Sequence, residues 1–549
     1  MATSNFTRGS NAIIFGALTV GAVCLINLIS SRQFTRFDLT EDKIYSLSEA
    51  SKKLVHNLPD RLTVKAFISG DLPEHEQLKA IERYLRDTLD EFAASSDGKM
   101  TWEALDPSKD DKIKDEARRL KVMPRSLGVY KKNQSAVAQA YMGVAFQYAG
   151  NVESIPFVVS LNDLEYQVAS TIKRLTVKRK KIGFTSGHGE PTTQRGIAGI
   201  SRRLRDYETT TVDLTGGKKP IPDDVDILMV IGPNKRFAPR AQYEIDQFLM
   251  KGKSVAFAID GMVLETPRGR FGKQAPPRIG RANNVGLRQQ LEYYGAKLNE
   301  DMIMDRQNQR VQLPAAQGQV VVTNYPGFPV VTTLDKESPI TRKLRVFVSV
   351  FPASVELTKW ALDKKNITST VLASSSAASW RHKGFFLFDP LHPPKPTKEL
   401  GPYPLAVSLR GKIRSFFDGK PVPPPGEAKG PKDKATKPKG TKFSPDSARV
   451  VVIGDSDLFR DQFLGLSQGH NVNLFLNTAD YLAADESLIA IRSKAQTRRP
   501  LENLEEGTTL MAKVANIVGV PLLFILLGVG RWRWHRARRK REAARVAKL

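Results

Sequence analysis

The sequence predicts two α/β units carried between two terminal membrane-spanning helices. Three observations predict it. Apolar runs of about twenty residues, long enough to cross a hydrocarbon core of ~30 Å, lie near both ends, at Asn11–Ser30 and Leu510–Gly530. Between them, stretches of strand-like alternation are separated by stretches with apolar residues at helical spacing, the pattern of βα units. A Pro/Lys/Gly-rich tract, Asp418–Ser447, interrupts that pattern once before an apolar strand resumes at Arg449.

The first helix is expected after Ser46, where Ser46-x-x-Glu49 has capping-box spacing. It carries Leu47, Ala50, Leu54 and Leu58 on one face, and Pro59 ends it. Leu62–Ile68 alternates as a strand and turns at Ser69-Gly70-Asp71. A long helix follows with Leu78, Ile81, Leu85, Leu89 and Phe92 on its inner face. Met100–Leu105 is a strand broken by Asp106-Pro107. Lys109–Leu120 is a helix, and strands are expected around Ser126–Tyr130 and Tyr141–Tyr148. This βαβα-then-β order, with Met123-Pro124 ahead of the third strand, looks like a thioredoxin-type arrangement. It lacks a Cys-x-x-Cys, so it has no dithiol chemistry. Ser160–Leu175 closes the unit as a helix facing inward through Leu161, Leu164, Val168, Ile172 and Leu175. The basic cluster Lys178–Lys181 then forms a solvated joint rather than a ligand site.

The second unit begins with the short strand Ile182–Thr185, a helix over Ile197–Leu204, and strands Thr209–Leu214 and Val225–Ile231. The last of these is apolar on both faces, as in the centre of a parallel sheet. Helix Ala238–Met250 and strand Ser254–Ile259 extend a doubly wound sheet of flavodoxin or glutamine-amidotransferase type. Met262 to about Leu287 is loop-like, and weak β signals occur at Val320–Thr323, Leu344–Val350 and Thr368–Ala373. The tract 418–447 cannot bury a core and is expected to be a mobile insertion. Strand Arg449–Ile453 and helix Asn473–Leu482 then close the sheet. The expected division is therefore a cytoplasmic N-terminus 1–10, a first span 11–31, a thioredoxin-like domain 32–178, a doubly wound domain 179–490 with an insertion 262–448, a linker 491–509, a second span 510–530 and a basic tail 531–549.

That tail holds nine Lys/Arg and one acid, Glu542. Positive segments beside a span stay in the cytoplasm, so two crossings place the large middle outside. The formal charge of +27 leaves the body basic even without the tail. Such a body attracts anionic lipid, glycan or protein, although solvation alone accounts for such a charge. Nucleic acid is excluded by the expected topology and by the lack of aromatic residues interleaved with the basic ones. The lone cysteine, Cys24, lies in the first apolar run, which rules out an internal disulfide or a thiolate zinc cluster. Val23 before it disfavours lipid attachment, and the length of the run without A-x-A favours a retained anchor over a cleaved signal.

Two loops are candidates for chemistry. Ser186-Gly187-His188-Gly189-Glu190 leaves a strand at the edge where open α/β sheets bind ligands, and His188 and Glu190 are a potential base or ligand. The plainer reading is a tight turn with a capping Glu. Gly454-Asp455-Ser456-Asp457 ends another strand. Its carboxylates suit either a hard cation or, more simply, a helix cap. The two loops meet if both strands are central and parallel. The seven histidines form no H-x-x-x-H or H-E-x-x-H pair. No G-x-S-x-G elbow and no nucleotide cradle are present. No catalytic residue, metal or cofactor is assigned.

Several ordered segments carry a resemblance: FDLTEDKIYSLS (Phe37–Ser48), VKAFISGDLP (Val64–Pro73), Leu164-Glu165-Tyr166, Ser186–Glu190 and Gly454–Asp457. Over roughly residues 25–490 the chain resembles the GldG-like family of bacterial ABC-type transport auxiliary subunits. The resemblance implies an inner-membrane protein with a periplasmic body beside an ABC permease subunit and, through it, a cytoplasmic ATPase, with a link to gliding motility or envelope export. It transfers no catalytic residue. The expected function is a non-enzymatic auxiliary subunit. The alternatives are a periplasmic hydrolase or transferase using the two loops, and a binding module for anionic envelope polymer.

Overall fold

The computed structural model describes residues 46–484 apart from 71–75, 132–133, 160–162, 266–277, 315–319, 343, 364–366, 390–391 and 425–440, together with Gly21, Ile491 and 520–546. The architecture is mixed α/β. The first sheet has four strands: β1 (Leu62–Ile68), β2 (Met100–Leu105), β5 (Met142–Tyr148) and β6 (Asn151–Ile155), in the order β2-β1-β5-β6. β1 and β2 are parallel, and β5 and β6 each run antiparallel to their neighbours. Helices α1 (Glu49–His56), α2 (Glu76–Ala94) and α4 (Leu164–Thr176) bury Val55, Leu85, Leu89, Phe92, Val168 and Ile172 against it. Helix α3 (Asp111–Arg119) has its own small cluster with Phe67 and Tyr141.

Two expectations change here. The strand expected near Ser126–Tyr130 is β3 (Arg125–Lys131), but it pairs with β4 (Gln134–Ala140) as a separate hairpin and is not part of the sheet. The N-cap of α1 is Ser48, not Ser46: the Ser51 N–H donates to Ser48 Oγ at 3.2 Å. The carboxylate that reaches back comes from Glu165 on α4, which accepts from Ser48 N at 2.7 Å and from Ser51 Oγ at 2.7 Å. A distant buried Glu165 therefore serves where a local Glu49 was expected.

The second sheet has eight strands. Along one side run β8 (Glu208–Asp213), β7 (Lys181–Ser186), β9 (Ile227–Ile231), β10 (Ser254–Ala258) and β14 (Arg449–Ile453), all parallel. β13 (Pro404–Gly411), β12 (Ile367–Ser374) and β11 (Thr333–Leu334) continue it antiparallel. Alternate residues of the central strands face opposite cores: Ile227, Met229, Val451 and Ile453 one way, Leu228, Val230, Val450 and Val452 the other. Helix α6 (Pro239–Met250) covers the second face and α7 (His470–Leu482) the first. The helix expected over Ile197–Leu204 is one turn, α5 (Ala198–Ser201).

The sheet closes across the insertion as expected, because β10 and β14 are parallel neighbours. The insertion itself is not loop-like. It supplies β11–β13 to the sheet and folds a satellite core of Met302, Met304, Tyr325, Phe328, Phe351, Trp380, Phe386 and Phe388. The flanks of the Pro/Lys tract are also fixed. Ser444 Oγ accepts from Ile413 N at 2.9 Å and donates to Gly411 O at 2.9 Å, and the Lys420 ammonium sits 3.4 Å from the centre of the Phe416 ring.

The segment from Thr497 onwards is a separate unit. Its helix, Val520–Val546, starts apolar and becomes basic from Arg531. Among the described residues no helix is long and apolar enough to cross a membrane. The first expected span, except Gly21, and residues 510–519 of the second lie outside the described residues.

Candidate functional site

Parallel strands deliver their outgoing loops to one edge, where ligand sites of open α/β sheets form. Here β7, β9, β10 and β14 bring Ser186–Pro191, Gly232–Asn234, Asp260 and Gly454–Asp457 to that edge.

The β7 loop is a sealed turn. Gly187 and Gly189 have φ of 106° and 84°, values that suit glycine. The His188 ring lies flat on Phe237, with centroids 3.7 Å apart. Its peptide N–H donates to Glu190 Oε2 at 2.6 Å, and its carbonyl accepts from Asn234 N and Lys235 N at 2.9 and 3.0 Å. His188 Nδ1 faces Glu190 Oε1 at 3.6 Å, and both side chains are almost wholly buried. Burial pushes the Glu190 carboxyl up. Hydrogen bonds from His188 and the backbone outweigh it and hold the group below its usual range.

The β14 loop meets a third carboxylate that its own sequence neighbourhood does not show. Ser456 donates through its N–H and its hydroxyl to the two oxygens of Asp260, each at 2.6 Å. Asp455 accepts from Ser349 Oγ and Val350 N at 2.6 Å each, and from Leu458 N at 3.1 Å, so it ties the insertion to the loop and caps the following turn. Burial pushes Asp260 and Asp455 up, and Asp455 rises further beside the charges of Asp260 and Asp457. Asp457 points outward to Arg460, 2.7 Å from its Nε. Burial and the Asp260 charge push its carboxyl up to about 7, against Arg460 and Arg278.

The connections that follow β7 and β14 are joined beyond the two motifs, with no shared ligand cradle between Ser186–Glu190 and Gly454–Asp457. The Asp461 carboxylate accepts from Ala198 N and Gly199 N at 3.0 and 2.6 Å, pinning the start of α5 to the β14 loop. A Cβ on Gly232 would lie 2.8 Å from Ser456 Oγ and 3.4 Å from Pro191. Outside this seam opens a cavity of about 470 Å³, lined among others by Asp457, Arg460, Arg278, Glu265, Asn234 and Phe351. Neither His188 nor Glu190 lines it; of the β14 motif only Asp457 does. The cavity therefore offers paired charges and amides beside aromatic rings.

Asp260, Arg278, Arg460 and Asn234 are the residues that sequence reasoning missed. Asp260-Gly261 directly after an apolar strand was the available signal for the first. Nothing local marks Arg278, which enters from the insertion. Among the described residues no three His, Cys, Asp or Glu side chains converge as metal ligands.

Residues 41–147 match a domain of unknown function, DUF7088. An uncharacterized protein of Borreliella burgdorferi is 22% identical over 547 residues, covering 97% of this chain and 99% of its own. A solved mmIFT52 N-terminal domain aligns over 55% of this chain and 97% of its own, at 15% identity and a TM-score of 0.33, too low to bear on function. Residues 179–484, more than half of the chain and the stretch that forms the eight-stranded mixed sheet with its insertion, match the family described as an ABC-type uncharacterized transport system. On that match the chain belongs to the auxiliary proteins of ABC-type transport systems.

Proposed function

We propose that this chain is a non-enzymatic auxiliary subunit, anchored in the bacterial inner membrane at both ends, whose periplasmic body presents the sheet-edge cavity to the cargo or a partner of an ABC permease. A cytoplasmic ATPase acts through that permease, and gliding motility or envelope export is the process it serves. One observation carries the reading: within the family-matched region, the loops after three parallel strands, β9, β10 and β14, open onto a cavity of about 470 Å³ that combines the Asp457–Arg460 pair with aromatic walls. Such mixed lining suits recognition. The apolar runs at 11–30 and 510–530, with the basic tail, support the topology.

The test is purification of the full chain in mild detergent from its native membrane. The expected result is co-recovery of an ABC permease and its ATPase, lost or weakened in Asp457→Ala/Arg460→Ala. Repeated recovery of the intact chain without either partner would sink the proposal. A reporter inserted near residue 300 should be active only outside the cytoplasm. A second reading, hydrolase or transferase, rests on Asp457 alone, a carboxyl near neutrality in a cavity. His188 and Glu190, sealed against each other, give it no support.

A further inference from the structure

The charges lining the sheet-edge cavity are nearly balanced, and that balance constrains its occupant. Glu265 is already neutralised, since it accepts from Arg281 Nη2. Two carboxylates, Asp260 and Asp457, then share the cavity with two guanidiniums, Arg278 and Arg460. Each oxygen of Asp260 takes one donor from Ser456, and a carboxylate oxygen has room for a second. Arg460 Nε lies 2.7 Å from Asp457 Oδ1 without the alignment of a hydrogen bond. Arg278 is exposed and, among the described residues, makes no hydrogen bond or ion pair. Its guanidinium rests 5.8 Å from the centre of the Phe388 ring, its register partner on the neighbouring strand, and its charge acts on Asp457. Beside it Phe328, Phe351 and Phe388 form an apolar wall, with successive ring centres 5.1 and 5.8 Å apart.

We propose that this cavity binds a short zwitterionic peptide with apolar side chains, its ammonium on Asp457 and Asp260 and its carboxylate on Arg278. The assignment rests on the sheet-edge cavity being the recognition site of the proposed function, and names the ligand class of that site. A guanidinium holds a carboxylate through two parallel N–H donors, and an ammonium has three donors for carboxylate oxygens. A simple anion would meet Asp260 and Asp457, and a simple cation would meet Arg278 and Arg460. A zwitterion finds an opposite charge for each end. An uncharged sugar would leave the Arg278 charge without an anion, whereas the three phenylalanine rings suit apolar side chains. The volume of about 470 Å³ lies within the range of small-molecule sites, about 300–1,000 Å³. The site also supplies a signature of occupancy. Burial and the Asp260 charge push the Asp457 carboxyl up to about 7, against Arg460 and Arg278, and Asp455 lies close behind. An ammonium placed beside Asp457 favours its ionised form, so binding near neutral pH releases a proton.

The test is calorimetric titration of the purified full chain in detergent, near neutral pH, with the dipeptide Leu-Phe, its N-acetyl and C-terminal amide derivatives, and maltotriose. Leu-Phe should bind saturably, and each blocked derivative about tenfold or more weakly. The binding enthalpy should vary with the ionisation enthalpy of the buffer, as proton release requires. Arg278→Gln, at an exposed position, should weaken Leu-Phe about tenfold and leave the amide unchanged. Asp457→Asn should weaken Leu-Phe by about as much and leave the N-acetyl derivative unchanged. That crossed pattern assigns each end of the peptide to its own residue, and a general loss of structure does not produce it. Failure of Leu-Phe to bind, binding of maltotriose in its place, or equal loss of every ligand in both variants overturns the proposal. No permease takes part in the titration. Failure to co-recover a permease therefore sinks the transport reading and leaves the ligand standing, while failure to bind Leu-Phe alongside intact co-recovery strikes the ligand alone.

Discussion

At the residue level, the sheet edge separates carboxylates by what they touch. Asp260 and Asp455 are consumed by hydroxyl and peptide donors, whereas Asp457 keeps a cation partner; of the three, Asp260 and Asp457 line the cavity. Its carboxyl holds a proton up to about pH 7 in the folded protein, but releases it near ~3.9 when unfolded. The folded state therefore binds more protons between those values, and this contribution to stability is fully present below about 4 and is lost as pH rises through about 7. Asp457→Asn should remove that slope: at pH 8 the variant is the more stable by ~1–3 kcal/mol, a gap that closes toward pH 5 in urea titrations. Glycine predictions also separate by contact. A Cβ on Gly454 would meet the Ala353 carbonyl at 2.1 Å, whereas one on Gly465 meets nothing within 4 Å. Gly454→Ala should cost about 1–3 kcal/mol and Gly465→Ala under ~0.5 kcal/mol, measured by the same unfolding.

At the level of elements, strands and helices with full periodic faces were legible and broken ones were not. The alternation in Leu62–Ile68 and the 3–4 spacing through Leu78–Phe92 located β1 and α2, because each buries one continuous face. The satellite core escaped because Tyr325 and Phe328 lie where Pro326, Gly327 and Pro329 break the alternation of their strand, while Phe386 and Phe388 sit on a three-residue strand, below the length at which a period shows. The cap of α1 failed for a different reason. Ser46 and Ser48 both precede a Glu-containing run, and only the approach of α4 selects Ser48 by supplying Glu165. Glu165→Ala leaves the Ser48 N–H and Ser51 hydroxyl without that buried partner. It should destabilise the protein by about 2–4 kcal/mol, whereas Glu49→Ala on the exposed rim should change stability by less than ~1 kcal/mol. Thermal melts of the two variants side by side decide it.

At the scale of the molecule, the body is held together by a joint and a seam. Asp206 accepts from Tyr166 Oη and Arg174 Nη1 at 2.9 Å each, so a loop of the second domain engages two positions on the last helix of the first. Asp206→Ala should destabilise by about 1–3 kcal/mol, since it removes the acceptor of Tyr166 Oη and one of the two carboxylates beside Arg174, which keeps Glu153 at 3.5 Å. It should also split a single urea transition into two as the domains uncouple. Circular dichroism and tryptophan fluorescence would then no longer coincide. Asp461 plays the matching part at the sheet edge, where it sews the loops after β7 and β14 together although 262 residues separate Asp461 from Gly199. From the sequence a meeting of the two motifs depended on both strands being central and parallel, and nothing local marked Asp461 as a residue that joins the connections beyond them.

The amino-acid sequence alone determined the α/β class and the return of the chain to the sheet at Arg449, because these depend on the period and length of apolar runs, which are local properties. It also determined which two loops leave central strands. Only the tertiary structure decided that Asp260 joins Asp455 and Asp457, that His188 is closed off from the cavity, that Glu165 braces the Ser48 cap of α1, and that the basic joint is a concavity. Each of these depends on which charged or polar group a remote segment brings within ~3 Å, and side-chain periodicity records no distance across the chain.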